Sequence, residues 1–234
     1  MSAAGDDKGS GESREDFLSE VAYFGYAGET NTSKVLELAR RRLLERSIGK
    51  AVIASETGRS ILKAISIFQG SGCRIVAVTH SPDFSCGPKG DIPIGINRSE
   101  YERTMKQIES AGVEVVQGAR ITVSPPRVEW TWNGMAEAVD YTLELLGSGT
   151  KVAVEAAVIA TEAGKVNPGE EVIAFGGTFK GLDTALVVRA ANSKGFFDEF
   201  EIREIIAKPR YNVRSEIPYS DSSWKGDIDQ YYLA

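Results

Sequence analysis

The chain has 234 residues, enough for one full α/β domain or two small ones. Its 27 Lys and Arg against 33 Asp and Glu leave a net charge of −6, which argues against broad binding of nucleic acid or an anionic membrane. No apolar run approaches the roughly 20 residues a membrane helix needs, and Met1–Asp7 lacks the basic start and apolar core of a signal peptide. The two cysteines, Cys73 and Cys86, fit free thiols in a reducing, cytoplasmic compartment. Cys73 reads as a small core residue and Cys86 as an exposed loop residue. With His80 the single histidine, a His/Cys zinc site lacks ligands, and a serine triad could use His80 alone.

Residues 1–16 are polar and read as a mobile tail. Val21–Phe24 reads as a first strand and 25–32 as a turn. Thr32 is placed to cap a helix whose apolar face is Val35, Leu36, Leu38, Ala39, Leu43 and Leu44, with the basic residues from 40 to 46 on its solvated side. A strand at 50–54, a helix at about 59–69 and a strand at Arg74–Thr79 complete a β-α-β-α-β order. The strands are continuous apolar runs, the mark of a parallel sheet buried on both faces. Residues 81–97, rich in Pro and Gly, read as a long irregular loop. A helix at 99–111 starts at Ser99 with a capping-box-like pattern, and a strand follows at Val113–Gln117.

Pro125-Pro126 excludes a regular helix within 118–134, where Val128–Trp132 reads as an exposed edge or flap. Helices at about 135–147 and 151–164, a strand entering Gly176-Gly177-Thr178, and strands at Thr184–Ala190 and Glu199–Pro209 close the domain. The expected organisation is a tail at 1–16, one domain at 17–210, and a polar, aromatic extension at 211–234. That extension reads as wrapping the surface or a neighbouring subunit, which would make the protein a homo-oligomer.

The segment Ala51–Leu62 joins the end of a strand to the start of a helix through Ser55-Glu56-Thr57-Gly58-Arg59-Ser60. Two readings stand side by side. The amides of the helix N-terminus, the hydroxyls and Arg59 could cradle a phosphate. Alternatively, Thr57 or Ser60 is an N-cap and Arg59 a solvated surface residue.

The run Ala51–Ser60 followed by Ile75–Thr79 resembles the C-terminal α/β domain of pyruvate kinase, and Pro168–Thr178 is similar to a second strand and glycine-rich loop of that domain. The match is closer to a stand-alone prokaryotic family with this fold, largely of unassigned function. Tyr23-Phe24 with Gly28, Asn31 and Thr32, Val78-Thr79-His80, Val152 with Val154-Glu155, Ala174–Thr178 with Asp183-Thr184-Ala185, Ala191-Asn192-Ser193 and Glu201–Pro209 carry that resemblance. It implies a three-layer, open, mostly parallel sheet of Rossmann-like type. It also implies a site for a phosphorylated small molecule, with flavin mononucleotide (FMN) named first and a sugar bisphosphate as the effector-type alternative. Pyruvate kinase activity is not expected, because that catalytic site lies in a TIM barrel of about 250 residues. Two departures stand out: Glu56 adds negative charge inside the phosphate loop, and Arg120 stands where related chains often carry histidine.

Ligands of open α/β sheets bind beyond the carboxyl ends of the strands, where the strand order switches. That rule gathers Asn31, Thr32, Ser55, Thr57, Gly58, Arg59, Ser60, Thr79, His80, Gly176, Gly177, Thr178 and Asp183 around one crevice. In this reading Gly176-Gly177 admits a ring or sugar, or simply makes a tight turn. Asp183 takes a ribityl or ribose hydroxyl. His80 and Glu155 are the candidates for proton transfer, with Glu155 equally readable as a hydrogen-bonded helix residue. Three function classes follow: a binder or sensor of a phosphorylated small molecule such as a sugar phosphate, a flavin-dependent oxidoreductase, or an assembly module that has lost its ligand.

Overall fold

Alternate residues of the central strands go to opposite cores. Ile53, Ile75, Ile173, Phe175 and Val187 pack on one side, and Val52, Val76, Val172, Ala174 and Leu186 on the other. Such runs have no polar side, so each strand must be covered on both faces, as the sequence implied. The computed structural model describes residues 16–80, 82, 85–86, 92–118, 135–178 and 180–211. Its first half runs β1 (Ala22–Phe24), α1 (Thr32–Arg46), β2 (Lys50–Ala54), α2 (Arg59–Ile67) and β3 (Arg74–Thr79). A small hairpin, β4 (Ser85–Cys86) with β5 (Ile92–Pro93), precedes α3 (Glu102–Ser110) and β6 (Glu114–Gln117). Then come α4 (Met135–Glu144), α5 (Ser148–Glu162), β7 (Glu171–Gly176), β8 (Thr184–Arg189), the single turn α6 (Phe196–Glu199) and β9 (Glu201–Pro209).

The main sheet has seven strands in the order β1-β9-β8-β7-β2-β3-β6. Only β8 runs against the others, so the sheet is open and mostly parallel, as expected. Helices α1, α2 and α3 fill the core on one face, and α5 covers the other. The chain steps outward from β2 through β3 to β6, then returns to place β7 on the opposite side of β2. The strand order therefore reverses between β2 and β7, and the loops after both strands meet at that switch point.

Several local expectations are corrected. Leu44 is 51% exposed and lies off the apolar face of α1. Arg42, read as solvated, is buried and ion-paired to Glu204 of β9, tying α1 to the sheet. Thr32 is the first helical residue, not the cap, and its hydroxyl accepts a bond from Leu182 N at 2.9 Å. Ser99 opens a short 3-10 turn, and no side chain caps α3. Within 81–97 the β4–β5 pair gives order where only irregular chain was expected. The readings made for 1–15, Arg120, the Val128–Trp132 flap and the aromatic tail beyond Tyr211 fall outside the described residues, and of Cys86 only the backbone is described.

α5 approaches β7 more closely than side chains permit. A Cβ on Gly176 would stand 2.1 Å from Gly149 O and 2.7 Å from Ala153 N, both backbone atoms of the helix. Gly176→Ala is expected to destabilise the fold by about 1–3 kcal/mol, the usual cost of overpacking. Urea unfolding will read this as a lower midpoint with an unchanged slope.

Candidate functional site

The site is built from loops at the carboxyl edge of the sheet. After β2, Ser55 N bonds Val78 O at 2.9 Å, and Ser55 Oγ accepts from Gly58 N at 3.2 Å. Gly58 takes φ +81°, and a Cβ there would meet Thr104 Cγ2, Ile96 Cδ1 and Ile108 Cδ1 at 2.5–2.8 Å. Both conformation and crowding therefore demand glycine. Gly58 is the N-cap of α2 and no side chain caps the helix, so neither Thr57 nor Ser60 does so. The first intrahelical bond is Leu62 N to Gly58 O, and the amides of Arg59, Ser60 and Ile61 precede it. Ser60 is buried in the first turn, and Thr57 is half-buried in the loop.

Glu56 does not face this helix mouth. Its carboxylate accepts from Thr79 Oγ1 at 3.3 Å and His80 N at 3.2 Å, and it pairs with His80 Nδ1. Thr79 Oγ1 in turn accepts from Ile96 N at 3.0 Å. Thr79 is thus committed to holding the loops, while His80 is oriented at the end of β3. A carboxylate partner makes Nδ1 the protonated nitrogen of the neutral ring.

Across the switch point, Asp183 is fully buried. Its Oδ2 accepts from Gly28 N at 2.8 Å and Thr178 N at 3.0 Å, and its Oδ1 from Thr184 Oγ1 at 2.8 Å. The ribityl-hydroxyl role expected of Asp183 does not fit this arrangement, because internal donors occupy both oxygens. Gly177 and Gly176 likewise serve packing: a Cβ on Gly177 would stand 2.0 Å from Gly181 O. Asn31 Nδ2 donates to Tyr26 O at 2.8 Å and Gly28 O at 3.3 Å, bracing the turn before α1. Thr178 Oγ1 differs from these. Among the described residues it is buried with no hydrogen-bond partner.

The charged side chains complete the picture. Arg59 Nη1 lies 3.0 Å from Glu29 Oε1, and both side chains are half-buried. Gly181 packs against the same residue, its Cβ position 2.7 Å from Glu29 Cα. Lys180 precedes Gly181 in the same loop, and both members of the pair act on its charge. Burial pushes its ammonium below the ordinary lysine range, Glu29 pulls it back up, and Arg59 pushes it down. Glu29 and Lys180 were missing from the sequence reading. A lysine next to Gly181 in the expected site loop was the available signal; Glu29 gave none, because its partner is 30 positions away.

Two other candidates lie apart. Glu155 sits seven residues into α5, about 10 Å along the helix from its start, and is not among the loop residues gathered at the edge. Cys73, read as a small core residue, precedes β3 at the amino edge, where it is half-buried and packed against the core, and burial pushes its thiol up to about 12. Among the described residues no group of His, Cys, Asp and Glu is placed to hold a metal, and no helix is long and apolar enough to cross a membrane.

The chain matches no protein-family model.

Asp183→Ala leaves the amides of Gly28 and Thr178 buried without their acceptor. The expected loss is about 1–3 kcal/mol for each orphaned donor. It will appear as a lower thermal midpoint in ligand-free protein, which separates a structural role from a ligand-contact role.

Proposed function

We propose that this protein binds a phosphorylated small molecule in the crevice between β2 and β7, with FMN the first candidate. The observation that carries the reading is Arg59 paired with Glu29 at the mouth of α2, with the loop that carries Lys180 packed on Glu29 through Gly181 and both charges acting on that lysine. Two cations from different loops, set at an uncapped helix N-terminus, favour a phosphate by charge and by amide donors. The buried Thr178 hydroxyl supports it further, since a polar group without a protein partner usually meets water or ligand. The preference for FMN comes from the family resemblance.

A second reading, a flavin-dependent oxidoreductase, is favoured by the pairing of Glu56 with His80. A ring fixed in one orientation at the carboxyl edge is suited to moving protons, while bound flavin would supply the redox chemistry.

The direct test is isothermal calorimetry with FMN and with a sugar bisphosphate, together with the absorption spectrum of the purified protein. Arg59→Ala is expected to weaken phosphate-ligand binding by about 1.5–3 kcal/mol. An unchanged affinity, or no binding of either ligand, would sink the reading.

Lys180 sets a pH dependence. Its pKa lies below the ordinary 10.5 in the folded protein, so it loses its proton earlier than an exposed lysine as pH rises. A phosphate monoester is already dianionic above about pH 7. Affinity for ribose 5-phosphate is therefore expected to fall as pH rises through the range just below 10.5. Lys180→Gln should remove that fall, as read by calorimetry across the same pH series.

A further inference from the structure

A carboxylate is an unexpected neighbour for two cations that hold a phosphate, and Glu29 cannot leave with its loop. Gly28 N is tied to Asp183 at 2.8 Å, Leu182 N to Thr32 Oγ1 at 2.9 Å, and Gly181 presses on the Glu29 backbone. Among the described residues, three carboxylates are placed at this edge of the sheet. Asp183 is consumed by Gly28, Thr178 and Thr184, and Glu56 is turned to Thr79 and His80. Glu29 is the one set beside Arg59 at the crevice mouth. An ionised carboxylate only accepts hydrogen bonds. It therefore repels a bare anion and welcomes hydroxyl donors.

We propose that Glu29 determines specificity, and that the crevice takes the phosphate monoester of a polyol. Arg59 and Lys180 hold the phosphate, and Glu29 accepts from hydroxyls on the carbons next to it. A phosphate without such hydroxyls meets the charge of Glu29 with no compensating bond, a repulsive element that discriminates as strongly as an attractive one. This inference rests on the phosphate reading given above.

Calorimetry on the full chain tests it with ribitol 5-phosphate (the phosphate arm of FMN), phenyl phosphate and orthophosphate. The wild-type protein is expected to prefer ribitol 5-phosphate over phenyl phosphate by about tenfold or more, the worth of one charge-assisted hydrogen bond. Glu29→Ala should bring that ratio near one, with tighter binding of phenyl phosphate and orthophosphate. Glu29→Gln, which keeps the side chain's size without its charge, should likewise tighten orthophosphate binding. Circular dichroism on both variants controls for folding. Equal wild-type affinities for ribitol 5-phosphate and phenyl phosphate, or a ratio unmoved in both variants, would overturn this inference and leave the phosphate reading standing. Failure of all three probes to bind wild type and folded variants would overturn the phosphate reading, and this inference with it.

Discussion

The buried carboxylate of Asp183 is the constraint on which this edge of the molecule depends. A charge without exposure to water is tolerable only when donors surround it. Here the donors come from three places: the turn before α1 (Gly28), the loop after β7 (Thr178) and the start of β8 (Thr184). Satisfying one side chain therefore fixes two loops against each other. That fixation carries Glu29 and Lys180 to Arg59, because each lies within three residues of a segment so tied.

The same demand explains the glycines. A carboxylate buried under β8 leaves space only for backbone beside it, and a Cβ on Gly149 would stand 2.5 Å from Asp183 Oδ1 and 2.2 Å from Thr184 Oγ1. α5 can thus lie directly on the end of β7, with Gly149 against Gly176. Glycine-rich stretches at sheet edges invite a reading as ligand loops. In this molecule Gly149, Gly176 and Gly177 are required by internal close approach. Between Gly177 and Gly181 the described side chains are Thr178, whose buried hydroxyl lacks a partner, and the half-buried Lys180.

Electrostatically the edge is divided into two compartments. On the β3 side the Glu56 carboxylate is turned to Thr79 and His80 rather than to the amides of α2. On the β7 side Glu29 stands against Arg59, with the half-desolvated Lys180 close by. The two acids lie on different sides of the same helix mouth, so the cationic compartment and the histidine compartment are separate. An anchor for phosphate and a group for proton movement can then coexist along one edge.

The sequence by itself determined the strands and their faces, because burial on two sides writes itself locally as runs such as Ala51–Ala54 and Ile75–Val78. It also determined the strand-to-loop positions that bring the candidate residues to one edge, though it offered Thr57 or Ser60 as the cap of α2 where the structure has Gly58. Helix faces were legible to within a residue or two, with Leu44 and Arg42 misassigned because a buried ion pair looks like any charged residue in a one-dimensional pattern. What only the tertiary structure decided is which hydroxyls and carboxylates are already spent. Gly28 and Asp183 stand 155 positions apart, and Leu182 and Thr32 stand 150 apart. No periodicity encodes such pairings. They follow from the switch in strand order between β2 and β7, which sets distant loops side by side and lets hydrogen-bond demand choose the partners.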